Sequence, residues 1–448
     1  MASTIFHPYD QIRSVFEQVL AASPADETEL VWFEHLHGVT SYPDAESYSD
    51  HTADYVEEPQ LTVLVRVVEG RRQGWHRTEI ADASQLESGL RQALALAKIQ
   101  KKVRRSPVFP TDTRELEFQH PLFDRRISEL DPESAKELLR EWCGDATRGR
   151  LSWTATRLAV VNSHGLRRRS DATQVTLEAA CGGGACSGRA AGSARTLDDL
   201  HPEEVCRRAR ECSASGELGE LPGGALPVLL APEATAELLN VLNTFAFSSR
   251  AYLDGTSFLA RHRNDQVFAR HLNLRDDGTR VPGVPFPFDF EGSPKKPLDV
   301  IVKGRPATPA LNLFQGAQAG LKPTAQAVGG QDSLFGHLYL LPGESSEEEL
   351  LAAADGGLRI GWLDPPECDE PAQLRIRTTA RCVRRIEGGR PGAPLPDLMW
   401  EESLLSALAR LQAIGRHPVV RTTPTTILGA ITAPAVVLGE SDGFRLKS

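Results

Sequence analysis

Two short acidic groups are the densest candidates for chemistry in this chain: Asp276 and Asp277 in RDDG, and Asp289 and Glu291 in FDFEG, closed by Gly292. Paired carboxylates can share acid and base work when their surroundings keep one protonated and the other ionised. An Asp before Gly also satisfies nearby amides and fixes a chain reversal, and with no nucleophile beside these residues turn chemistry is the preferred account. Of the seven cysteines, Cys181 and Cys186 flank a triple glycine and Cys206 and Cys212 fall on an expected helix. Neither pair has the two-residue spacing of a zinc ribbon, so buried free thiols are expected. His262 and His271 are separated by eight residues with no further ligand in view, and a surface or hydrogen-bonded role is expected for both. The stretch CGGGACSG lacks the lysine and hydroxyl of a phosphate loop and reads as a tight turn. Ser248 and Ser249 have neither a nucleophile-elbow motif nor a neighbouring base.

Composition limits what such residues could serve. At 448 residues, 40% of them hydrophobic and 25% charged, the chain is in the globular range and long enough for two domains. The formal net charge is -10, and the basic cluster Lys101, Lys102, Arg104 and Arg105 is short, which argues against a nucleic-acid partner. No stretch approaches the roughly 20 apolar residues of a bilayer span, and the N-terminus lacks a basic segment followed by an apolar one. A cytoplasmic protein without a membrane partner is the expectation.

The elements that must position the candidates divide the chain in two. Before position 220, Leu61, Val63, Val65 and Val67 alternate as a strand, and a return strand after Gly70 leads into a helix. Ser84 and Glu87 have capping-box spacing, followed by Leu86, Leu90, Ala93, Leu94 and Ala97 at helical intervals. Asp131 and Pro132 open a second helix, SWTATRLAVVNSHG and DATQVTLEAA form two strands about a turn, and a helix follows at Pro202 to Cys212. The segment SASGELGELPGGALP sets the boundary, giving an N-terminal α/β layer domain at 1–220. Residues 221–448 form a sheet-rich C-terminal domain, either barrel-like or of twisted sheets, and the fold class is α+β. Two helices interrupt that domain: Pro232 to Phe247, and Glu401 to Ile414 with Leu404, Leu408 and Leu411 inward and Gly415 as its stop.

Several landmarks occur in order: LDGTSFL, LRDDGT, PFDFEGSPKKPLDVIVKG and LYLLPGESSEEELL. They resemble the TldD/PmbA peptidase family, whose catalytic members carry HExxxH on a helix ahead of the GTS landmark. In that motif two histidines hold zinc and the glutamate takes a proton from its water. Here the equivalent stretch is LLNVLNTFAFSSRAYLDGTS, which places Asn240 and Phe245 at the histidines and Val241 at the glutamate. A C-terminal cysteine that serves such members as a third ligand is missing from RTTPTTILGAITAPAV. The resemblance therefore implies a TldE-like subunit that lacks catalytic residues and a metal or cofactor of its own. Its expected partner is a zinc-bearing TldD-like chain, and the expected substrate is an unfolded or modified peptide bound in extended form. Asp276, Asp277, Asp289, Glu291 and Gly292 are then candidates for the peptide groove or subunit contact. A stand-alone peptide-binding homodimer is the alternative.

Overall fold

Strand alternation in the N-terminal half builds a single antiparallel sheet. In spatial order its strands are Arg72–Thr78, Gln60–Glu69, Glu27–Tyr42, Thr147–Asn162, Arg167–Cys181 and Gly188–Ala194, with Tyr55–Val56 paired to the third. The computed structural model describes residues 6–43, 54–79, 81–105, 108–116, 118–144, 147–183, 187–329, 332–423, 426 and 428–447. Gly184, Ala185 and Cys186 of the glycine-rich stretch lie outside the described residues.

Side chains alternate across a strand, so the long strand Glu27–Tyr42 serves two faces. Leu30, Trp32 and Leu36 join the cores beneath the helices, where Tyr9–Ala22 and Ala83–Ile99 cover one end and Pro132–Cys143 and Pro202–Cys212 the other. Val31, on the other face, clusters with Leu64, Leu158 and Val160 of its own sheet, Leu166 of the turn after Asn162, and Phe286, Phe288 and Phe290 of the C-terminal half. Each half has core clusters of its own, and this last cluster draws on both.

The C-terminal half consists of two sheets packed about a buried helix. A six-stranded sheet runs from Arg305–Pro306 at one edge to Val419–Arg421 at the other. A nine-stranded sheet has Leu226–Leu230, Leu358–Leu363 and Arg375–Glu387 among its central strands. Between them Leu238, Leu239 and Leu242 of the Pro232 helix pack in one core with Val228, Ile360, Leu274 and Leu338. The fold is mixed α+β, and among the described residues none of its sheets closes into a barrel.

Two expected elements differ. The helix starting near Ser84 is capped by Asp82, whose Oδ1 accepts the Gln85 N–H at 2.9 Å and the Ser84 hydroxyl at 2.7 Å. A carboxylate is the stronger acceptor at the positive end of a helix, which moves the cap by two residues. Glu401 to Ile414 is not one helix: only Leu404–Ala409 is helical, while Leu398–Ser403 and Leu411–Ile414 are strands paired with Arg375–Glu387 and Val436–Ser441. Leu404, Leu408 and Leu411 are buried as expected. Pairing on both sides outweighs a helical periodicity that so short a segment cannot hold alone. Gly415 donates its N–H to Ala435 O across this pairing instead of stopping a helix.

Candidate functional site

Pro232 opens the central helix at a position that needs no amide donor, and Glu233 favours its positive end. The helix is α-helical over Pro232–Val241 and then widens into a π-turn over Leu242–Phe247. Residues five apart on a regular α-helix are rotated by roughly 140°. The additional residue of a π-turn brings such a pair back toward one face. Here the residues of that five-residue pair, Asn240 and Phe245, are half-buried with Thr244, while their neighbours Val241, Leu242 and Asn243 face inward. Side chains hold the widened turn open. Asn243 bonds both ways with the Phe335 backbone at 2.8 and 2.9 Å, Thr244 Oγ1 donates to Asn240 O, and Ser257 Oγ donates to Ala246 O at 2.6 Å.

One face of the helix is polar, with Glu233, Glu237, Asn240 and Thr244 in succession, and Arg421 to Thr423 lie along it. Arg421 donates to Glu233 O at 2.7 Å, pairs with Glu237 at 3.2 Å and stacks over the Trp362 ring at 4.1 Å. Thr423 Oγ1 then donates to Asn240 Oδ1 at 3.0 Å. The structure thus joins the helix to the RTTPTTIL segment at Asn240, and what joins them is a hydrogen bond between neutral side chains. Val241 is 3% exposed and sits in the core, and Phe245 packs on that core from its rim. An amide, an isopropyl group and a phenyl ring do not make a zinc donor set. Among the described residues no three His, Cys, Asp or Glu side chains gather as a metal-holding group.

The acidic residues chosen from sequence occupy a different place. Asp289 caps its turn by accepting from the amides of Glu291, Ser293 and Ala327 at 2.9 Å each. Asp277 does the same for Thr279, and Asp276 accepts the His337 amide at 2.8 Å and Gln326 Nε2 at 2.6 Å. Asp276, Asp289 and Glu291 are buried, whereas Asp277 is half-buried. Glu291 reaches across the seam between halves: its Oε1 accepts from Arg66 at 3.1 Å and its Oε2 from the Leu313 amide at 2.9 Å. Arg66 also pairs with Glu29 and donates to Phe290 O at 2.7 Å. Gly292 has φ 71°, and a Cβ there would stand 2.5 Å from Leu166, in the turn between two strands of the N-terminal sheet. Its carbonyl accepts from Arg168. Burial pushes the Glu29 carboxyl up to about 8 and Glu291 up to about 7, against the pull of Arg66.

Sequence reasoning did not single out Arg66, Glu29 or Arg421. A charge inside an apolar run, as Arg66 is in LTVLVRVV, needs a partner when buried, and that was the available signal. His262 and His271 are exposed, and Ser249 Oγ donates to Asp332 at 2.6 Å with Ser248 capping the short helix Ser249–Leu253.

A cleft of about 1120 Å³ opens between the halves. Ser193 of the edge strand Gly188–Ala194, Arg208, Glu233, and Val419 and Val420 of the facing edge strand all line it. Arg208 and Glu233 pair at 2.5 Å and occupy the carbonyl and amide of Ala191 as a neighbouring strand would, at 2.7 and 3.2 Å.

Residues 223–442, which hold the helix, the acidic turns and the Arg421 to Thr423 segment, match the profile of the PmbA/TldA metallopeptidase C-terminal domain. The chain is a TldD/PmbA-family protein. Its shape is similar to that of a candidate modulator of a DNA gyrase from Thermotoga maritima, with TM-score 0.76, 20% identity and coverage of 96% of this chain and 99% of that one. TldE from Thermococcus kodakarensis gives 0.74 and 17%, over 96% and 98%. A candidate gyrase modulator from Bacteroides thetaiotaomicron gives 0.75 and 15%, over 98% and 99%. At these identities the likeness is one of fold. No curated protein matches the sequence significantly. In this TldD/PmbA protein the landmark residues LRDDGT and PFDFEG form the turns and the seam, while the helix ahead of them carries Asn240 and Phe245 on one face.

Proposed function

We propose that this TldD/PmbA-family protein is a non-catalytic, TldE-like subunit that pairs with a zinc-bearing TldD-like chain to act on unfolded or modified peptides. One observation carries the reading: Asn240 and Thr423 hydrogen-bond to each other where the family's ligand-bearing helix meets the C-terminal segment. Neutral imidazoles and a thiolate hold zinc and leave a position open for water, and a glutamate must reach that water to take its proton. Here the Thr423 hydroxyl donates to the Asn240 amide oxygen, the amide nitrogen donates to Glu237 at 3.3 Å, and Val241 offers no base.

Such a subunit contributes surface instead of chemistry. An extended peptide gains affinity by adding to a sheet edge through backbone hydrogen bonds, with little demand on its sequence. The cleft offers the edge strand Val419–Arg421 for this, while the bordering edge Gly188–Ala194 is already capped at Ala191 by Arg208 and Glu233.

Co-expression with an HExxxH-bearing relative from the same genome tests the proposal. The two chains are expected to co-purify, with zinc and peptide cleavage dependent on the relative. Stoichiometric zinc together with peptide cleavage by this chain alone would overturn it.

A further inference from the structure

The helix Pro202–Cys212 carries two thiols in different settings. Cys206, 0% exposed, directs its Sγ at the Sγ of Cys143, the last residue of the helix Pro132–Cys143, 3.7 Å away. A disulfide needs about 2.05 Å between sulfurs, so the pair is reduced and about 1.7 Å short of bonding. Cys212, at the end of the same helix, accepts a hydrogen bond from the guanidinium of Arg359 at 3.2 Å. Two residues beyond Cys206, Arg208 bonds Glu233 at 2.5 Å. Glu233 and Arg359 both belong to the C-terminal half. The helix is therefore a strut with a thiol pair on its inner side and interdomain contacts at Arg208 and Cys212.

We propose that Cys143 and Cys206 form a reversible disulfide on exposure to a peroxide, and that the closure is transmitted along the helix to its contacts with the C-terminal half. The Cys206 sulfur attacks the peroxide oxygen, breaking the O–O bond to give a sulfenic acid and water. The Cys143 sulfur then attacks the Cys206 sulfur, forming S–S and releasing the second water. Overall two thiols and hydrogen peroxide become a disulfide and two waters, with the thiols oxidised and the peroxide reduced.

One feature favours Cys206 as the first nucleophile, and another sets the route of the oxidant. Sharing a hydrogen bond with Cys143, with Arg210 nearby, holds the Cys206 thiol below the usual range despite its burial. Both sulfurs are buried, Cys206 at 0% and Cys143 at 4% exposed, so peroxide must reach Cys206 past the helix end at Cys143, which adjoins the exposed Gly144. Drawing the sulfurs together pulls the helix toward Cys143, and Arg208 and Cys212 must move with it or let go of Glu233 and Arg359.

The test treats the whole chain with hydrogen peroxide, blocks remaining thiols in denaturant, and maps peptides without reduction. Expected is a Cys143–Cys206 linked peptide, two hydrogen atoms lighter than its reduced parts, with the titratable thiol count falling by two from seven and restored by dithiothreitol. Cys143→Ser and Cys206→Ser should each abolish the link. Cys206→Ala, checked by circular dichroism, keeps the test valid if the serine variant fails to fold. Hydrogen exchange over 202–212 and around Glu233 should rise severalfold on oxidation and return on reduction. Oxidation of the more exposed Cys181 or Cys368 while Cys143 and Cys206 stay free would overturn the assignment of the pair. A disulfide with unchanged exchange in the helix would overturn the transmission.

Discussion

Arg66 offers one positive charge to two buried carboxylates, Glu29 and Glu291. Removing one partner from such a group leaves charge in low dielectric without compensation, at a cost of about 3–5 kcal/mol. Arg66→Met should therefore lower unfolding stability by that order at pH 8, measured in urea, and by clearly less at pH 5, where both carboxyls hold protons. The wild-type chain carries a related pH signature. Both carboxyls titrate higher in the folded protein, near 8 and 7, than in the unfolded chain, so between about pH 4.5 and 8 the native state binds more protons. Stability must then fall as pH rises through that window, against the usual trend set by paired carboxylates. A set of urea midpoints from pH 5 to 8 that rises instead would show that Arg66 keeps both groups ionised throughout. At Asn240, Thr423→Val removes the neutral hydrogen bond between the two side chains, with an expected loss of about 1 kcal/mol and no change in metal content.

Helices and strands tell a plainer story, because most of them are written as periodicity. The alternation in LTVLVRVV and the caps at Asp131 and Pro132 emerge as the strand Gln60–Glu69 and the helix Pro132–Cys143. Glu401 to Ile414 misleads because Leu404, Leu408 and Leu411 satisfy a helical period while their backbone partners, which decide the matter, lie in distant strands. Of the candidate site, the helix that carries Asn240, Val241 and Phe245 was legible, as was the turn chemistry of Asp277 and Asp289. Contacts formed only in three dimensions were not: Thr423 against Asn240 spans 183 residues, and Arg66 against Glu291 spans 225. Close packing between elements is equally silent in sequence. A Cβ on Gly74 would stand 1.8 Å from the Ala93 carbonyl oxygen, since the strand Arg72–Thr78 lies directly on the helix Ala83–Ile99. Gly74→Ala should cost about 3 kcal/mol or more in chemical denaturation, because backbone on both sides would have to part. A loss under about 1 kcal/mol would mean that the helix can slide without penalty.

The molecule as a whole is joined at a seam more apolar than its charged residues suggest. Phe286, Phe288 and Phe290 lie against Val31, Leu64 and Leu158, with Arg66, Arg168 and Arg195 fastening the turns around them. Arg195 donates to the carbonyls of Thr173, Pro285, Val284 and Leu428, and burial brings its guanidinium down to about 9. A piece comprising 221–448 alone would expose all three phenylalanines, and it should collect in the insoluble fraction when the full chain does not. Calorimetry of the intact protein should accordingly give one endotherm instead of two. There is a consequence for biosynthesis as well. The N-terminal sheet leaves the ribosome with the Val31 side of its surface bare, and it stays bare until residue 290 has cleared the exit tunnel. For that interval the nascent chain presents a greasy face to the cell, a natural place for a holding chaperone to bind.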